Sequence, residues 1–409
     1  MIASLPASKS RPVILKNLLC MQIIFELSMG WFSAWTSSAP SPRAFAPAAS
    51  VISWEATALG GISSLERHAK AMPTELAADE VMVRVKAIGL NFADIFCCLG
   101  LYEAANAVIT ERGGGSFCPG LEFSGDVLRT GSSVKDFAPG DKVYGFTRFG
   151  AYKSVVVQRA VYMHPMPADW SYAEAAALVA QGITAWHGLV PLGGIRKGSR
   201  VLVHSAAGGV GCCAMQIATS LGCEVTGVIG SDAKAPFLQS RFPKAQVVVR
   251  GPERRYKSQL QALPGGGQFD CCLDSLGGKY FTGALESLAP MGRIVHLGAT
   301  YSYGGASDGL RKWLTLVPGF LTRPRVDPGE LVGTNRAVMG YNMIWLTEQV
   351  EMLTTELDEM LEKGGMLERP PAVGKTFPFE QLPDALHFLN SGTSVGKVVV
   401  TIDGEASLD

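Results

Sequence analysis

A chain of 409 residues is long enough for two or three domains that each bury a core, so no disulfide scaffold is needed to hold it together. Its 36 basic and 36 acidic residues cancel, and charged residues make up an ordinary 18% of the chain. That balance excludes a nucleic-acid surface or a hold on anionic lipid built on net charge, and makes a small molecule the expected ligand.

The first fifty residues are rich in serine and alanine and carry Lys9, Arg11, Lys16 and Arg43 against a single acid, Glu26. Such a bias predicts a targeting segment, which would send the chain to a plastid or mitochondrion; without it the chain is cytoplasmic. Residues 17–35 are apolar, but Asn17, Gln22 and Glu26 interrupt them, where a membrane span needs about 20 unbroken apolar residues. Residues 37–50 read as a linker.

From about residue 54 the pattern is that of a compact protein. Val81, Val83, Val85 and Ala87 alternate with longer side chains, which predicts a strand over 81–90 with one buried face. Short β-rich runs at 122–131, 140–146 and 151–158, separated by turn residues, predict a small, mostly antiparallel barrel-like unit. After an alanine-rich helical stretch over 170–190, strands at 200–205, 224–230, 246–249, 269–276 and 293–298 alternate with helix-length segments. That alternation predicts a doubly wound parallel sheet, an α/β fold. A last strand is expected at 336–342, a helix over 345–364, and helix then strand in the tail 377–402.

The strand ending at Ser205 runs into Ala206, Gly208, Gly209, Val210 and Gly211 and then a helix, giving A-x-G-x-x-G in the setting of a βαβ nucleotide unit. Ala206 is assigned the tight turn, Gly208 the close approach to a pyrophosphate, and Gly211 the contact between helix and sheet. A phosphate would lie on the helix N-terminus, where free N–H groups point. At the end of the next strand, Ser231 and Lys234 are placed to bind the extra phosphate of NADPH, while Asp232 pulls towards NADH. On the helix after the loop, Cys213 reads as a small core residue and Cys212 as its flank. Nine cysteines, six of them in adjacent pairs and none in CxxC, argue for reduced thiols.

Taken together, "GLNFADIFCCLGLY" (89–102), "PGLEFSGDV" (119–127), "AAGGVG", "DSLGG" (274–278), "NRAVMGYN" and "VGKVVV" (395–400) resemble the medium-chain dehydrogenase/reductase superfamily. Within it the likeness is to the zinc-independent quinone oxidoreductases, especially the synaptic vesicle membrane protein branch. The resemblance implies a Rossmann sheet inserted in a GroES-like, mostly β catalytic domain. The expected boundaries are a leader at 1–53, catalytic domain at 54–172, nucleotide domain at 173–343, and a return to the catalytic domain at 344–409. It also implies a homodimer and, from the vesicle branch, peripheral membrane association.

Where zinc members of the superfamily place ligands, this chain has Asn91, Leu121 and Gln181, so no metal is expected. Asn91 and Tyr102 match polar positions over the nicotinamide and are the expected catalytic donors and positioners. Phe96 stands where several relatives carry tyrosine. Thr184, Gly298 and Ser394 match cofactor-lining positions. The implied activity is hydride transfer from NADPH to a quinone or an α,β-unsaturated carbonyl without metal or flavin; the alternative is an NADPH-binding scaffold with little turnover.

Overall fold

The computed structural model describes residues 50–57, 60–298 and 323–402. The leader, with its apolar stretch 17–35, lies outside the described residues, as does nearly all of the expected linker. The described elements start at Ser50, ahead of residue 54, with an antiparallel hairpin of β1 (Ser50–Ala56) and β2 (Leu65–Ala71).

In chain order there follow β3 (Glu80–Gly89), β4 (Glu122–Thr130), β5 (Lys142–Phe146), β6 (Val155–Arg159) and β7 (Met163–Pro165). The nucleotide half supplies β8 (Arg200–Val203), β9 (Glu224–Ile229), β10 (Gln246–Val249), β11 (Phe269–Asp274), β12 (Leu288–His296) and β13 (Ala337–Gly340). The tail adds β14 (Val373–Pro378) and β15 (Lys397–Thr401). The alternation expected over 81–90 holds as far as Val85, with Val81, Val83 and Val85 in one core with Phe123, Val143 and Val156; a register shift then turns Ala87 to another cluster and brings Ile88 and Leu90 into this one.

Two larger sheets result. One runs β14-β15-β3-β4-β5-β7, with β6 paired to β3, and is antiparallel except where β14 lies parallel to β15. Because β14 and β15 from the C-terminal end join β3 to β7 from the N-terminal part in one sheet, the stretch that carries β8 to β13 is an insertion. The other sheet is wholly parallel in the order β10-β9-β8-β11-β12-β13. Its central strands β8 and β11 are buried on both faces, as the unbroken runs Val201–Leu202–Val203 and Cys271–Cys272–Leu273 require. The strand order reverses between β8 and β11, the crevice at which such sheets bind ligands.

Several local expectations change. The helical stretch 170–190 divides into Tyr172–Ala175, Val179–His187 and a wider turn over Gly188–Leu192, where Pro191 offers no N–H to a regular ladder. Helix Val350–Lys363 buries Leu353, Leu357 and Met360 with Val179, Ile183 and Ile217, and its Glu356 meets His187 Nδ1 at 2.9 Å. It therefore packs on the nucleotide side, and the chain rejoins the antiparallel sheet at β14 rather than at 344. Cys212 is no flank: it is as buried as Cys213, and its thiol donates to the Ala206 carbonyl at 3.4 Å. The eight cysteines among the described residues are free thiols. Burial pushes both Cys212 and Cys213 up to about 12, which keeps them protonated and unreactive.

Candidate functional site

The glycine loop leaves β8 through His204 and Ser205, whose φ of 51° lies in the left-handed region. Helix Gly209–Ser220 starts at Gly208 with no side-chain cap, so its first N–H groups face the cleft without an intrahelical acceptor. A Cβ on Gly211 would lie 2.2 Å from the Ser205 carbonyl oxygen and 2.7 Å from the Ala206 Cα, so only glycine allows the helix this close to the strand. A Cβ on Gly208 would meet nothing nearer than 3.3 Å and would instead fill open space above the helix end. That space is the cradle a pyrophosphate needs. Gly209 admits the Gln181 side chain, whose Oε1 would be 2.0 Å from a Cβ there. Ala206 is fully buried under the loop, its N–H bonded to Val228 O at 2.9 Å, and does not reach the cleft; Ala207 does.

The cleft has a volume of about 480 Å³. Ser205, Gly208, Gly209, Val210 and Gly211 line one wall, and Ser394 and Gly396 of the returning segment line the other. The walls are tied: Gly396 N donates to Ala207 O at 2.7 Å, and Lys234 Nζ donates to Gly392 O at 2.6 Å and Ser394 O at 2.9 Å. Lys234 reaches the cleft as expected, but Ser231 does not, since its Oγ accepts from Ala233 N at 3.4 Å and caps its own turn. Asp232 is exposed and off the cleft. The second cation there is Arg250, just after β10, with its guanidinium 5.2 Å over the Tyr280 ring and 3.1 Å from where a Gly230 Cβ would lie. Burial, then the neighbouring Arg250 charge, lowers the Lys234 ammonium.

A second, more apolar chamber of about 250 Å³ adjoins the cleft, and Asn91, Phe92, Val210, Ser275 and Leu297 line both. Phe96, Thr184 and Gly298 belong to this chamber rather than to the cleft. The Thr184 hydroxyl is turned back to Ala180 O at 2.6 Å. Tyr102 Oη donates to Asn342 Oδ1 at 2.9 Å, and Ile344 N bonds the same oxygen at 3.4 Å, which orients the amide and leaves Nδ2 as a donor. Burial raises the Tyr102 hydroxyl, keeping it protonated. Asn342 is the chamber-lining partner of Tyr102 that the sequence reading passed over, although it ends the quoted "NRAVMGYN".

Asn91 is engaged on every side. Its Nδ2 donates to Gly89 O at 3.3 Å and Glu122 Oε1 at 3.0 Å, and its Oδ1 accepts from Lys397 Nζ at 2.8 Å. Its N–H bonds Asp94 Oδ2 at 2.8 Å, closing a capping box at the start of helix Phe92–Cys98. Lys397 and Glu122 meet at 2.5 Å, both almost wholly out of water. With both amide hydrogens committed inside the protein, Asn91 is a positioner rather than a donor. This arrangement does not fit zinc: Leu121 has no ligating atom, Gln181 packs on Gly209, and the Lys397 ammonium already supplies the local positive charge.

Residues 77–168 match the family described as the alcohol dehydrogenase GroES-like domain, and residues 209–345 match the zinc-binding dehydrogenase family. The synaptic vesicle membrane protein VAT-1 homolog of Danio rerio is 29% identical over 347 residues, 85% of this chain and 69% of that protein. The crystal structure of CurK enoyl reductase superposes with a TM-score of 0.72 at 26% identity, covering 86% of this chain and 99% of that one. A mycobacterial protein solved in complex with NADPH superposes with a TM-score of 0.70 at 25% identity, over 86% of this chain and 99% of its own. A GroES-like half around an inserted parallel sheet, together with the two family matches, shows that the chain belongs to the medium-chain dehydrogenase/reductase superfamily.

Proposed function

We propose that the chain is an NADPH-dependent oxidoreductase that reduces quinones or α,β-unsaturated carbonyls with neither zinc nor flavin. The observation that carries this reading is the junction at which the glycine-loop cleft opens onto the apolar chamber, across Asn91, Phe92, Val210, Ser275 and Leu297. NADPH, when bound, supplies the hydride. The N-terminus of helix Gly209–Ser220 receives its pyrophosphate, and Lys234 with Arg250 sets two cations where a ribose 2′-phosphate would lie. Phe92, Phe96, Phe146 and Ile183 exclude water from the chamber. Asn342, held through its Oδ1 by the Tyr102 hydroxyl, aims its Nδ2 donor at the oxygen that gains charge as a quinone or enone is reduced. Lys397 and Glu122 hold Asn91 in place beside them. The NADPH complex of the mycobacterial relative and the enoyl reductase name of CurK support the cofactor and the acceptor class.

The test follows NADPH oxidation by the purified chain with 1,4-benzoquinone and with 2-alkenals, with and without chelator. Oxidation insensitive to chelator is expected. NADPH binding without oxidation of any acceptor would leave a cofactor-binding scaffold, and loss of activity on chelation would restore a metal.

A further inference from the structure

A third cavity, of about 420 Å³, lies beside the apolar chamber and shares Phe146, Thr147 and Thr347 with it as walls. Its chemistry is different. Arg112, Arg148 and Lys153 line it, opposed by one carboxylate, Glu348. Glu348 meets Arg148 at 3.5 Å, but its side chain is 81% exposed, so it is a solvent-screened partner that an incoming anion can displace.

The hydroxyl and amide donors of Thr147, Gln158 and Thr347 in this cavity are already used. Thr147 Oγ1 donates to Phe149 O at 2.5 Å, Gln158 Nε2 to Phe146 O at 3.1 Å, and Thr347 Oγ1 to Ile344 O at 2.9 Å. What is left over is positive. Arg148 Nε is buried with no acceptor among the described residues, and buried donors in native proteins are normally paired. Its guanidinium is held 5.5 Å over the Trp345 ring, which fixes its plane without satisfying its N–H groups. Lys153 and Arg112 have no ion-pair partner among the described residues.

We propose that the substrate carries an anionic group, a carboxylate or a phosphate, at the end remote from its reducible double bond, and that Arg148, Lys153 and Arg112 bind it. The inference rests on the reductase reading for the reducible end, and it adds the substrate class: a neutral unsaturated carbonyl head, an apolar waist in the chamber, and a charged tail. A planar Arg148 fork suits either oxyanion.

The test uses a ladder of 2-alkenals of increasing chain length that end in a carboxylate, in its methyl ester, or in a phosphate monoester, assayed by NADPH oxidation. At the length that spans the chamber, the free acid or the phosphate should exceed the ester by about 10- to 100-fold in kcat/KM, the yield of one or two charge-assisted hydrogen bonds. Whichever anion gains more identifies the tail. In the Arg148→Gln/Lys153→Gln double variant the advantage should vanish while ester turnover stays unchanged, and rising salt should erode it in the wild type. Equal turnover of acid, phosphate and ester at every length in the wild type would overturn the inference and leave the reductase reading standing. If no alkenal is oxidised, calorimetry with 1,10-decanedioate and NADPH-loaded protein decides separately. Binding that the double variant loses would keep the anion site and remove the reductase reading; no binding would overturn both.

Discussion

Replacing Lys397 by methionine removes the counter-charge at the centre of the Asn91 network. The side chains of Lys397 and Glu122 are 1% and 0% exposed, and their charged atoms are 2.5 Å apart. Without the lysine, Glu122 keeps two neutral donors, Asn91 Nδ2 at 3.0 Å and Ala180 N at 2.9 Å. A carboxylate stranded in this way costs about 3–5 kcal/mol. For a folded body of this length, unfolding entropy scaled per residue converts that loss to roughly 4–7 °C in Tm. Glu122→Gln strands the opposite charge, whereas the Lys397→Met/Glu122→Gln double variant strands neither. The double variant should therefore be destabilised by less than the two single effects summed, with a coupling of about 2 kcal/mol or more. Thermal and urea unfolding of the four proteins measures it. In Lys397→Met, Asn91 also loses the bond to its Oδ1, so kcat should fall while NADPH affinity holds. Additive effects, or a loss below about 1 kcal/mol for Lys397→Met, would refute the argument that this buried pair fixes Asn91.

Gly211→Ala should destabilise the fold by about 1–3 kcal/mol, because its Cβ meets the Ser205 and Ala206 backbone, whereas Gly208→Ala should leave Tm unchanged and abolish NADPH binding. Calorimetric titration beside thermal melts separates the two, and equal behaviour would remove Gly208 from the phosphate cradle. Arg250→Gln should weaken NADPH by about 10- to 100-fold, the loss of a charged hydrogen bond, with NADH changed less than threefold; a matched loss of both would place Arg250 elsewhere. Lys234→Ala should weaken both cofactors, and NADPH more, because Lys234 also holds Gly392 and Ser394. Tyr102→Phe should lower kcat by about tenfold or more with NADPH affinity intact, and unchanged turnover would return Tyr102 to a packing role. Burial raises Asp94 to about 6, against hydrogen bonds from Asn91 and Gly120. Its folded value lies above its unfolded one, so protonation favours the native state below about pH 4 and that contribution is lost as pH rises to 6. Asp94→Asn should flatten the change of Tm with pH across that window, and parallel curves for variant and wild type would count against it.

The sequence made legible what depends on neighbours along the chain. The strand, the glycine loop and the helix follow from residues within one βαβ unit, and Gly211 makes the close helix–strand contact its spacing assigns. Ala206 lies in the turn assigned to it and is buried by that same turn, so it does not line the cleft. Ser231 was read as a phosphate donor, but its hydroxyl closes its own turn, a local bond that competes with any ligand. Arg250 was not legible because it reaches the cleft through the pairing of β10 with β9 rather than through a motif. The pairs Tyr102–Asn342 and Asn91–Lys397 join residues 240 and 306 positions apart, beyond the range of any spacing argument. The first hairpin was hidden because its opening strand starts at Ser50, directly after the serine- and alanine-rich leader.

The bonds from Ala207 to Gly396 and from Lys234 to Gly392 and Ser394 join the phosphate loop to the segment that leads back into the catalytic sheet. The floor of the cofactor cleft is thus also a clasp between the two halves of the protein. Any swing that parts the halves at this edge must break those bonds, and a dinucleotide lying across the clasp would resist it. Cofactor release and opening of the molecule would then be a single event.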